Sequence, residues 1–354
     1  MGEGNVVNGR ENGEDYSKSL QDLIEQAAPV FARQLEDLPQ GLREWVSAGI
    51  LIIKTIDEIE RNPRIHRDFK DRLTRSVSEL GNGDDKVVEN LGAFLCGVGP
   101  TKPRYGTLLE NIPSVLHGAL RGFPVNVHNI IKRYAVEIAA GLSDEKDIET
   151  LDEHYRYCHY VGGSVGFMIA DLIGIKGYLT QEKIMKIKPG YNLESKINPA
   201  RDFGIALQLI DDIRNLHEDA AVGIQRWPSE LLQREGISYE EIVQLNAGEK
   251  DKLARAYKIL HEQIMGARGY IRGAFDCIEV LPYEPEGLRI CLGNTLAGAA
   301  ALSRIMNTGE FFYNEERRMI NPEEITDIDR VVRAQTSSRM KLAPFVEHLF
   351  KEKG

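Results

Sequence analysis

A stripe of oxygen-bearing side chains lies on one predicted helix in the second half of the chain. Asp211, Asn215 and Asp219 follow one another at i, i+4 and i+8, Glu218 falls on the same side, and Arg214 stands beside them. Like charges at this spacing destabilise an isolated helix by roughly 0.2–0.5 kcal/mol, which a bound cation would offset. Carboxylate and amide oxygens suit Mg²⁺, which commonly shares its shell with substrate phosphates. Alone, the segment fits a metal site and a solvent-exposed face of mixed charge about equally well.

A second acidic cluster ends a strongly apolar helix near the start of the chain. Asp57 and Glu60 stand at i, i+3, with Glu58 between them, Arg61 after them and Lys54 before them. Acids at this spacing can converge on one metal ion, although a helix that emerges into solvent is the commoner origin of such a pattern. Two acidic helices facing across an apolar cavity would suit metal-assisted ionisation of a diphosphate. The metal neutralises the leaving pyrophosphate, and the dry cavity shelters a carbocation.

The composition narrows the classes of protein to which the chain can belong. A net charge of −10 argues against a nucleic-acid partner. Neither a secretory signal nor an apolar run of about 18 residues is found, so we expect no membrane span. The cysteines are scattered without zinc-type spacing, which indicates reduced thiols in a cytoplasmic protein: Cys96, Cys158, Cys277 and Cys291. The oligomeric state is not determined by the sequence.

Apolar residues recur mostly at helical spacing, and sustained alternation is not found. We therefore predict an all-α protein, with a disordered tail over residues 1–15 and a single domain over 16–354. The predicted helices cover residues 17–37, 41–60, 64–80, 85–97, 107–120, 125–141, 148–173, 195–220, 238–245, 250–278, 285–305 and 327–350.

Between the two clusters lies the segment YRYCHYVGGSVG, residues 155–166. Together with LQLIDDIRNLHED and RWPSELL, it resembles the squalene/phytoene synthase superfamily. The matching positions are Tyr157, Cys158, Val161, Gly163, Val165 and Gly166 in the middle motif, and Leu207, Gln208, Arg214, Glu218, Asp219 and Pro228 in the later one. The resemblance extends from Phe31 to about Asn307. It implies the class I isoprenoid synthase fold, a helical bundle around a central apolar cavity with magnesium-bound diphosphate at facing acidic helices.

The resemblance also implies roles for individual residues. The implied metal ligands are Asp57, Glu60, Asp211, Asn215 and Asp219, with Glu60 preferred over Glu58 only by alignment with the family. The implied diphosphate-binding residues are Lys54, Arg61 and Arg214. The implied catalytic residues are Tyr157, Asp57 and Asp219, with the Tyr157 ring over the cation and its oxygen as a proton acceptor. The implied cavity residues are Phe31, Val161, Gly162 and Gln208. Glycines such as Gly162 serve close helix packing at least as readily.

The chain departs from the family pattern in its first cluster. Arg61 stands where an aspartate is usual, which leaves Glu60 as the remaining acid, and Lys54 replaces an arginine. In the later motif Asp211 and Asn215 exchange the usual order of amide and acid. Because both share one stripe, that exchange largely keeps the metal-binding chemistry.

A second departure concerns the nicotinamide nucleotide that squalene synthases use. Met319 and Ile320 occupy positions where basic residues are expected, and Asn294 and Thr295 replace a Pro-Gln pair. We therefore expect Mg²⁺ but no NADPH. The losses favour a sesquiterpene cyclase that ionises farnesyl diphosphate and closes the cation on its own chain, giving a hydrocarbon such as humulene. Squalene-synthase-like fungal cyclases of the humulene synthase type have this character.

Two alternatives stay open. The retained YCHYV segment favours a head-to-head prenyl transferase of the squalene, presqualene diphosphate or phytoene type. Arg61 and Asn215 mildly favour a non-catalytic homologue that binds a prenyl diphosphate.

Overall fold

Helices make up most of the chain that the structure describes. The computed structural model describes residues 11–27, 29–78, 80, 85–99, 108–143, 148–176, 199–280, 286–306, 309–314, 320, 322–337 and 343–350. Within these ranges no strand occurs, so the prediction of an all-α fold is confirmed.

The described residues group into two compact units, whereas the sequence predicts one domain. Unit 1 comprises residues 1–35 and 40–139, and unit 2 comprises residues 36–39 and 140–354. Unit 1 holds α1 Glu11–Ala27, α2 Pro29–Leu35, α3 Gln40–Arg61, α4 Arg67–Ser78, α5 Asp85–Val98, α6 Leu108–Gly122 and most of α7 Val125–Ser143. Unit 2 holds α8 Leu151–Cys158, a π-helical segment His159–Gly163, α9 Ser164–Ile175, α10 Pro199–Arg214, α11 Leu216–Ala221, α12 Ser229–Glu235, α13 Tyr239–Val243, α14 Lys250–Val280, α15 Glu286–Met306, α16 Pro322–Ser337 and α17 Ala343–Leu349.

Helix α3 is the central helix of unit 1. It packs against α1, α4 and α6, and its apolar residues are buried on several sides, as expected for a helix with little polar face. The helix ends at Arg61 because Asn62 precedes a proline, which disfavours helical backbone in the residue before it. The first acidic cluster therefore lies in the last turn of α3, beside α4.

Helix α10 is the corresponding helix of unit 2. It packs against three elements that precede it in the sequence, namely α8, the π-helical segment and α9. It also packs against α14 and α15, which follow it. Close approach depends on glycine: a Cβ on Gly204 would lie 1.8 Å from the carbonyl oxygen of Gly162, and one on Gly166 would lie 1.8 Å from that of Ala200. The bare backbone at these glycines lets α10 approach the π-helical segment and α9 main chain to main chain.

Several predicted boundaries differ from the structure. The predicted helix 195–220 is interrupted at Asn215, although hydrogen bonds from Asn215 N to Asp211 O (2.9 Å) and from Asp219 N to Asn215 O (2.8 Å) continue the helical register. The predicted helix 148–173 contains the π-helical segment, and α12 follows Pro228 where no helix was expected. The predicted helix 327–350 appears as α16 and α17. Helix α1 begins at Glu11, inside the predicted disordered tail, whose first ten residues lie outside the described ranges.

The prediction of no membrane span meets one contrary observation. Among the described residues, Leu151–Ile175 is long and apolar enough to cross a membrane by length and composition, and 56% of its apolar window is buried inside the protein. A core helix passes the same test. Cytoplasmic location stays a prediction.

Candidate active site

The acidic stripe of unit 2 is a network of charged and amide groups at the end of α10. The Asn215 amide nitrogen donates to Asp211 Oδ2 at 2.9 Å, and the Arg214 guanidinium pairs with Asp211 Oδ1. Both charged side chains of the pair are about one-third exposed or less. The helix thus brings together the predicted metal ligands Asp211 and Asn215 and the predicted diphosphate-binding Arg214.

Asp219 completes the stripe one turn later and is the most deeply buried of its acids, with 1% of its surface exposed. A buried carboxylate needs an opposite charge or hydrogen bonds to offset lost hydration. Hard oxygen donors at this spacing fit a magnesium ion, and Asp211, Asn215 and Asp219 are the residues that would hold it. Glu218, beside Asp219, is exposed.

Tyr157 lies at the end of α8, and one face of its ring is already engaged. The guanidinium carbon of Arg226 lies 4.5 Å from the ring centroid, and Arg226 is 1% exposed. A cation at this distance is attracted by the ring quadrupole. The predicted place for a carbocation over this ring is therefore taken by Arg226 on one face, and sequence reasoning missed Arg226 altogether.

The π-helical segment begins at His159, two residues after Tyr157, and such segments occur often at functional sites. Val161 is buried within it. Gly162 was predicted to line a cavity, but a Cβ there would lie 2.3 Å from Gly204 O and 2.7 Å from Gln208 Cβ. The prediction that Gly162 lines a cavity is therefore wrong, because α10 packs into the space beside this glycine.

The other predicted cavity residues have different settings. Gln208 is half-buried and donates from its amide nitrogen to Asp212 Oδ1 at 2.7 Å, so its amide supports a neighbouring carboxylate. Phe31 belongs to α2, but its side chain lies outside what the structure describes.

One apolar crevice within unit 2 is narrow. This crevice of about 20 Å³ lies between α9, α10, α14 and α15, and its volume is far below the 300–1,000 Å³ of a usual ligand pocket. Its walls include Gly166, Ile169, Phe203, Ala274, Ile278 and Leu292. A prenyl chain needs more room than this crevice has in the present conformation.

The acidic cluster of unit 1 is arranged differently. Asp57 Oδ1 accepts a hydrogen bond from Arg61 Nε at 2.7 Å, and the Arg61 side chain is almost fully buried. Glu60 Oε1 accepts from Thr74 Oγ1 at 3.0 Å. The two predicted ligands are thus engaged by different partners. Glu58 is the most buried acid of the cluster at 4% exposed, although the family alignment favoured Glu60.

The two clusters belong to different units: Asp57 and Glu60 to unit 1, and Asp211 and Asp219 to unit 2. Lys54 lies half-buried on α3, one turn before Asp57. Convergence of the two clusters on one diphosphate stays a prediction.

A buried polar cluster that sequence reasoning missed links α8 and α10. His154 Nε2 lies 3.0 Å from Asp212 Oδ2, and Cys158 Sγ lies 3.5 Å from the same oxygen. Burial raises the pKa of the Cys158 thiol well above its ordinary value, and the Asp212 carboxylate raises it further. A signal was present: Asp212 falls on the apolar side of its helix, between Leu209 and Leu216, where an acid requires a partner.

The segment that departs from the nucleotide-binding pattern is only partly described. Asn294 Nδ2 donates to Asp329 Oδ1 at 2.7 Å, and Thr295 Oγ1 donates to the Cys291 carbonyl at 2.9 Å. Both side chains are thus used within unit 2. Met319 lies outside the described residues, Ile320 is half-buried, and the expectation of no NADPH is not tested by these contacts.

Comparison with known proteins gives consistent results. The family model for squalene/phytoene synthase matches residues 105–322. A squalene synthase of Candida albicans is 23% identical over 358 aligned positions, which cover 98% of this chain and 71% of that protein. A lycopaoctaene synthase of Botryococcus braunii is 24% identical over 82% of this chain and 61% of its own length. A 15-cis-phytoene synthase of Enterobacter agglomerans is 30% identical over 158 residues, 44% of this chain and 46% of its own.

Solved structures share the fold. A TcSQS structure with the ligand E5700 superposes with a TM-score of 0.74 at 19% identity, covering 95% of this chain and 96% of that one. A dehydrosqualene synthase structure superposes with a TM-score of 0.60 at 18% identity, covering 93% and 99%. The helical squalene synthase fold is therefore confirmed for this chain.

Proposed function

The chain belongs to the squalene/phytoene synthase family, and on that premise we propose that it is a magnesium-dependent enzyme that ionises a prenyl diphosphate. The observation that carries the proposal is the stripe that runs from the end of α10 into α11. Asp211 is bonded to Arg214 and Asn215, and the buried Asp219 follows one turn later. Hard oxygen ligands next to a guanidinium match the two needs of a leaving diphosphate, namely metal ions and hydrogen-bond donors.

The proposed residues divide the work of ionisation. Magnesium, when bound by the stripe, neutralises charge on the leaving diphosphate. Arg214 donates to the diphosphate oxygens from the same turn of α10. Tyr157, whose ring is held against Arg226, offers its oxygen as a proton acceptor once the carbocation has reacted.

After ionisation, the first candidate reaction of the carbocation is head-to-head coupling with a second prenyl diphosphate. Its support is the set of relatives, since squalene, lycopaoctaene and phytoene synthases are all named for long isoprenoid hydrocarbons. These comparisons favour coupling over cyclisation.

Cyclisation of farnesyl diphosphate to a hydrocarbon such as humulene is the second candidate, and one contact favours it. Coupling handles two diphosphates, whereas here Asp57 is bonded to Arg61, a basic residue within its own cluster. An acidic cluster neutralised in this way has less negative charge with which to bind the metal ions of a second diphosphate.

One assay separates these candidates. Purified full-length protein is incubated with farnesyl or geranylgeranyl diphosphate and Mg²⁺, with and without NADPH, and the extract is analysed by gas chromatography and mass spectrometry. A thirty- or forty-carbon product, or a cyclopropyl diphosphate intermediate, supports coupling. A sesquiterpene formed without NADPH supports cyclisation.

Failure to release pyrophosphate from any prenyl diphosphate would contradict both candidates. Binding of the diphosphate without turnover would then identify a non-catalytic homologue. The matched control is Asp251→Asn, an exposed acid in the first turn of α14, which should leave turnover unchanged.

A further inference from the structure

The polar cluster between α8 and α10 is enclosed more completely than either acidic cluster. His154 and Cys158 stand at i, i+4 on α8, and Asp212 approaches from α10. His154 and Cys158 are 0% exposed and Asp212 is 1% exposed. One ligand atom from each residue lies within 4.8 Å of the others, and among the described residues this is the one group of three such side chains.

We propose that His154, Cys158 and Asp212 form an enclosed binding site for a transition-metal ion of the zinc class, distinct from the magnesium stripe. The donor types decide the class of ion. Thiolate and imidazole are softer ligands than carboxylate oxygen and suit Zn²⁺ or Co²⁺, whereas Mg²⁺ requires oxygen ligands and near-octahedral geometry.

Two of the three separations between ligand atoms agree with tetrahedral coordination, and the third lies within 4.8 Å. Usual zinc bond lengths place a nitrogen and an oxygen ligand about 3.3 Å apart, and a sulfur and an oxygen ligand about 3.5 Å apart. The corresponding separations are 3.0 Å from His154 Nε2 to Asp212 Oδ2 and 3.5 Å from Cys158 Sγ to Asp212 Oδ2. Small adjustments of side chains would accommodate the ion, and water would complete the fourth position.

The charges also balance. A thiolate and a carboxylate neutralise a divalent ion, and histidine binds as the neutral ring, so the loaded site is neutral and suited to burial. Loading replaces the Cys158 S–H proton, which leaves to solvent as the sulfur–metal bond forms. Gln208, which donates to Asp212 Oδ1 at 2.7 Å, holds the carboxylate so that Oδ2 remains directed at His154 and Cys158.

The competing arrangement is a hydrogen-bonded cluster in which a proton, rather than a metal ion, lies between His154 and Asp212. In that arrangement His154 Nε2–H and the Cys158 S–H both donate to Asp212 Oδ2, whereas one metal ion would replace both protons and bind all three side chains. His154 Nδ1 is buried without a hydrogen-bond partner among the described residues, so Nε2 is the ring atom that either arrangement uses.

The experiment measures metal binding without reference to turnover. Protein produced without an affinity tag is analysed for bound zinc, stripped with a chelator and reloaded with Co²⁺. We expect about one ion per chain, a thiolate-to-cobalt charge-transfer band in the near ultraviolet and intense visible bands of tetrahedral cobalt. Co²⁺ at the oxygen-rich stripe would lack the thiolate band, so Asp219→Asn should leave the spectrum unchanged.

Cys158→Ser should abolish the charge-transfer band, while Cys291→Ser, which alters another buried thiol, should leave it intact. If Cys158→Ser fails to fold, the effect of zinc on the Tm can be compared between the unmodified protein and His154→Gln, both stripped of metal. Zinc should raise the Tm of the unmodified protein by several degrees and leave that of His154→Gln unchanged. A folded, stripped protein that takes up Co²⁺ without a thiolate band, or a band that survives Cys158→Ser, would overturn the proposal. Neither of these results involves a prenyl diphosphate, so failure of the metal-site proposal would leave the proposed function unaffected.

Discussion

The acidic ends of α3 and α10 have similar compositions but different internal bonding. At the end of α3, Asp57 is paired with Arg61 and Glu60 is bonded to Thr74 on the neighbouring helix. At the end of α10, Asp211 is paired with Arg214 and Asn215, while Asp219 is buried one turn later. Asp57 and Asp211, each beside an in-helix arginine, are thus partly neutralised, and the unit 2 stripe adds the buried carboxylate of Asp219 and the amide of Asn215 as further oxygen donors.

The largest expected loss of activity is at Asp219, the buried acid of the unit 2 stripe. Asp219→Asn should lower kcat/KM for pyrophosphate release by roughly 10²–10³-fold, since it removes a buried charge that the proposal places on magnesium. The measurement is pyrophosphate release at saturating Mg²⁺, with Asp251→Asn as the control. Activity within a factor of about three of the unmodified protein would remove Asp219 from the metal site.

The packing that positions the unit 2 stripe can be broken at Gly204. Gly204→Ala would bring a methyl group to within 1.8 Å of Gly162 O, so α10 must move away from the Tyr157-bearing segment. We expect the free energy of unfolding to fall by about 2–3 kcal/mol in a urea titration. The control is Gly298→Ala on α15, where nothing lies within 4 Å of the added Cβ; unchanged stability of both variants would contradict the proposed contact.

A smaller effect is expected at Asp57, and it sharpens the comparison directly. Because Arg61 already offsets the charge of Asp57, Asp57→Asn should lower kcat/KM by roughly tenfold, equivalent to about 1.4 kcal/mol. The same pyrophosphate assay measures it beside Asp219→Asn. Equal losses for the two variants would show that Arg61 does not weaken the first cluster.

Thiol chemistry offers a test of burial that needs no substrate. Burial raises the pKa of the Cys291 thiol to about 12 and also raises that of Cys158, whereas Cys96 is exposed. A raised pKa keeps the thiol protonated up to that pH, and the thiolate is the reactive form. In native metal-free protein at pH 8, iodoacetamide should therefore modify Cys96 well before Cys158 or Cys291, as mass spectrometry of peptides would show. Equal rates would contradict their burial.

The smallest expected effect concerns the start of α8. Thr150 and Glu153 form a capping box, and the backbone amides of Thr150 and Glu149 lower the pKa of the Glu153 carboxyl. Thr150→Ala should cost about 1 kcal/mol in urea unfolding. Since the folded pKa of Glu153 is lowered, its contribution is present above the ordinary value of 4.5 and is lost as the pH falls through the folded pKa. Glu153→Gln should thus destabilise the protein at pH 7 more than at pH 3.

Part of this arrangement was predictable along the chain. The helical class and both acidic turns follow from residue type and spacing, whereas the Tyr157 segment was identified by its resemblance to the squalene/phytoene synthase superfamily. The Asp57–Arg61 pair at i, i+4 was within reach of the same reasoning, although the sequence interpretation assigned Asp57 to a metal ion and Arg61 to the diphosphate. Gly162 was assigned to a cavity because a glycine permits a ligand and a helix equally, and spacing alone does not distinguish them.

The sequence by itself determined which residues share a helical turn, since that depends on a local period of about 3.6 residues. Only the tertiary structure decided which of them meet across helices. Asp212 meets His154, 58 residues away, and Gly162 meets Gly204, because the packing of α8, the π-helical segment and α10 removes water from one face and brings the two backbones together. Burial of this kind depends on distant parts of the chain, and so no local pattern contains it.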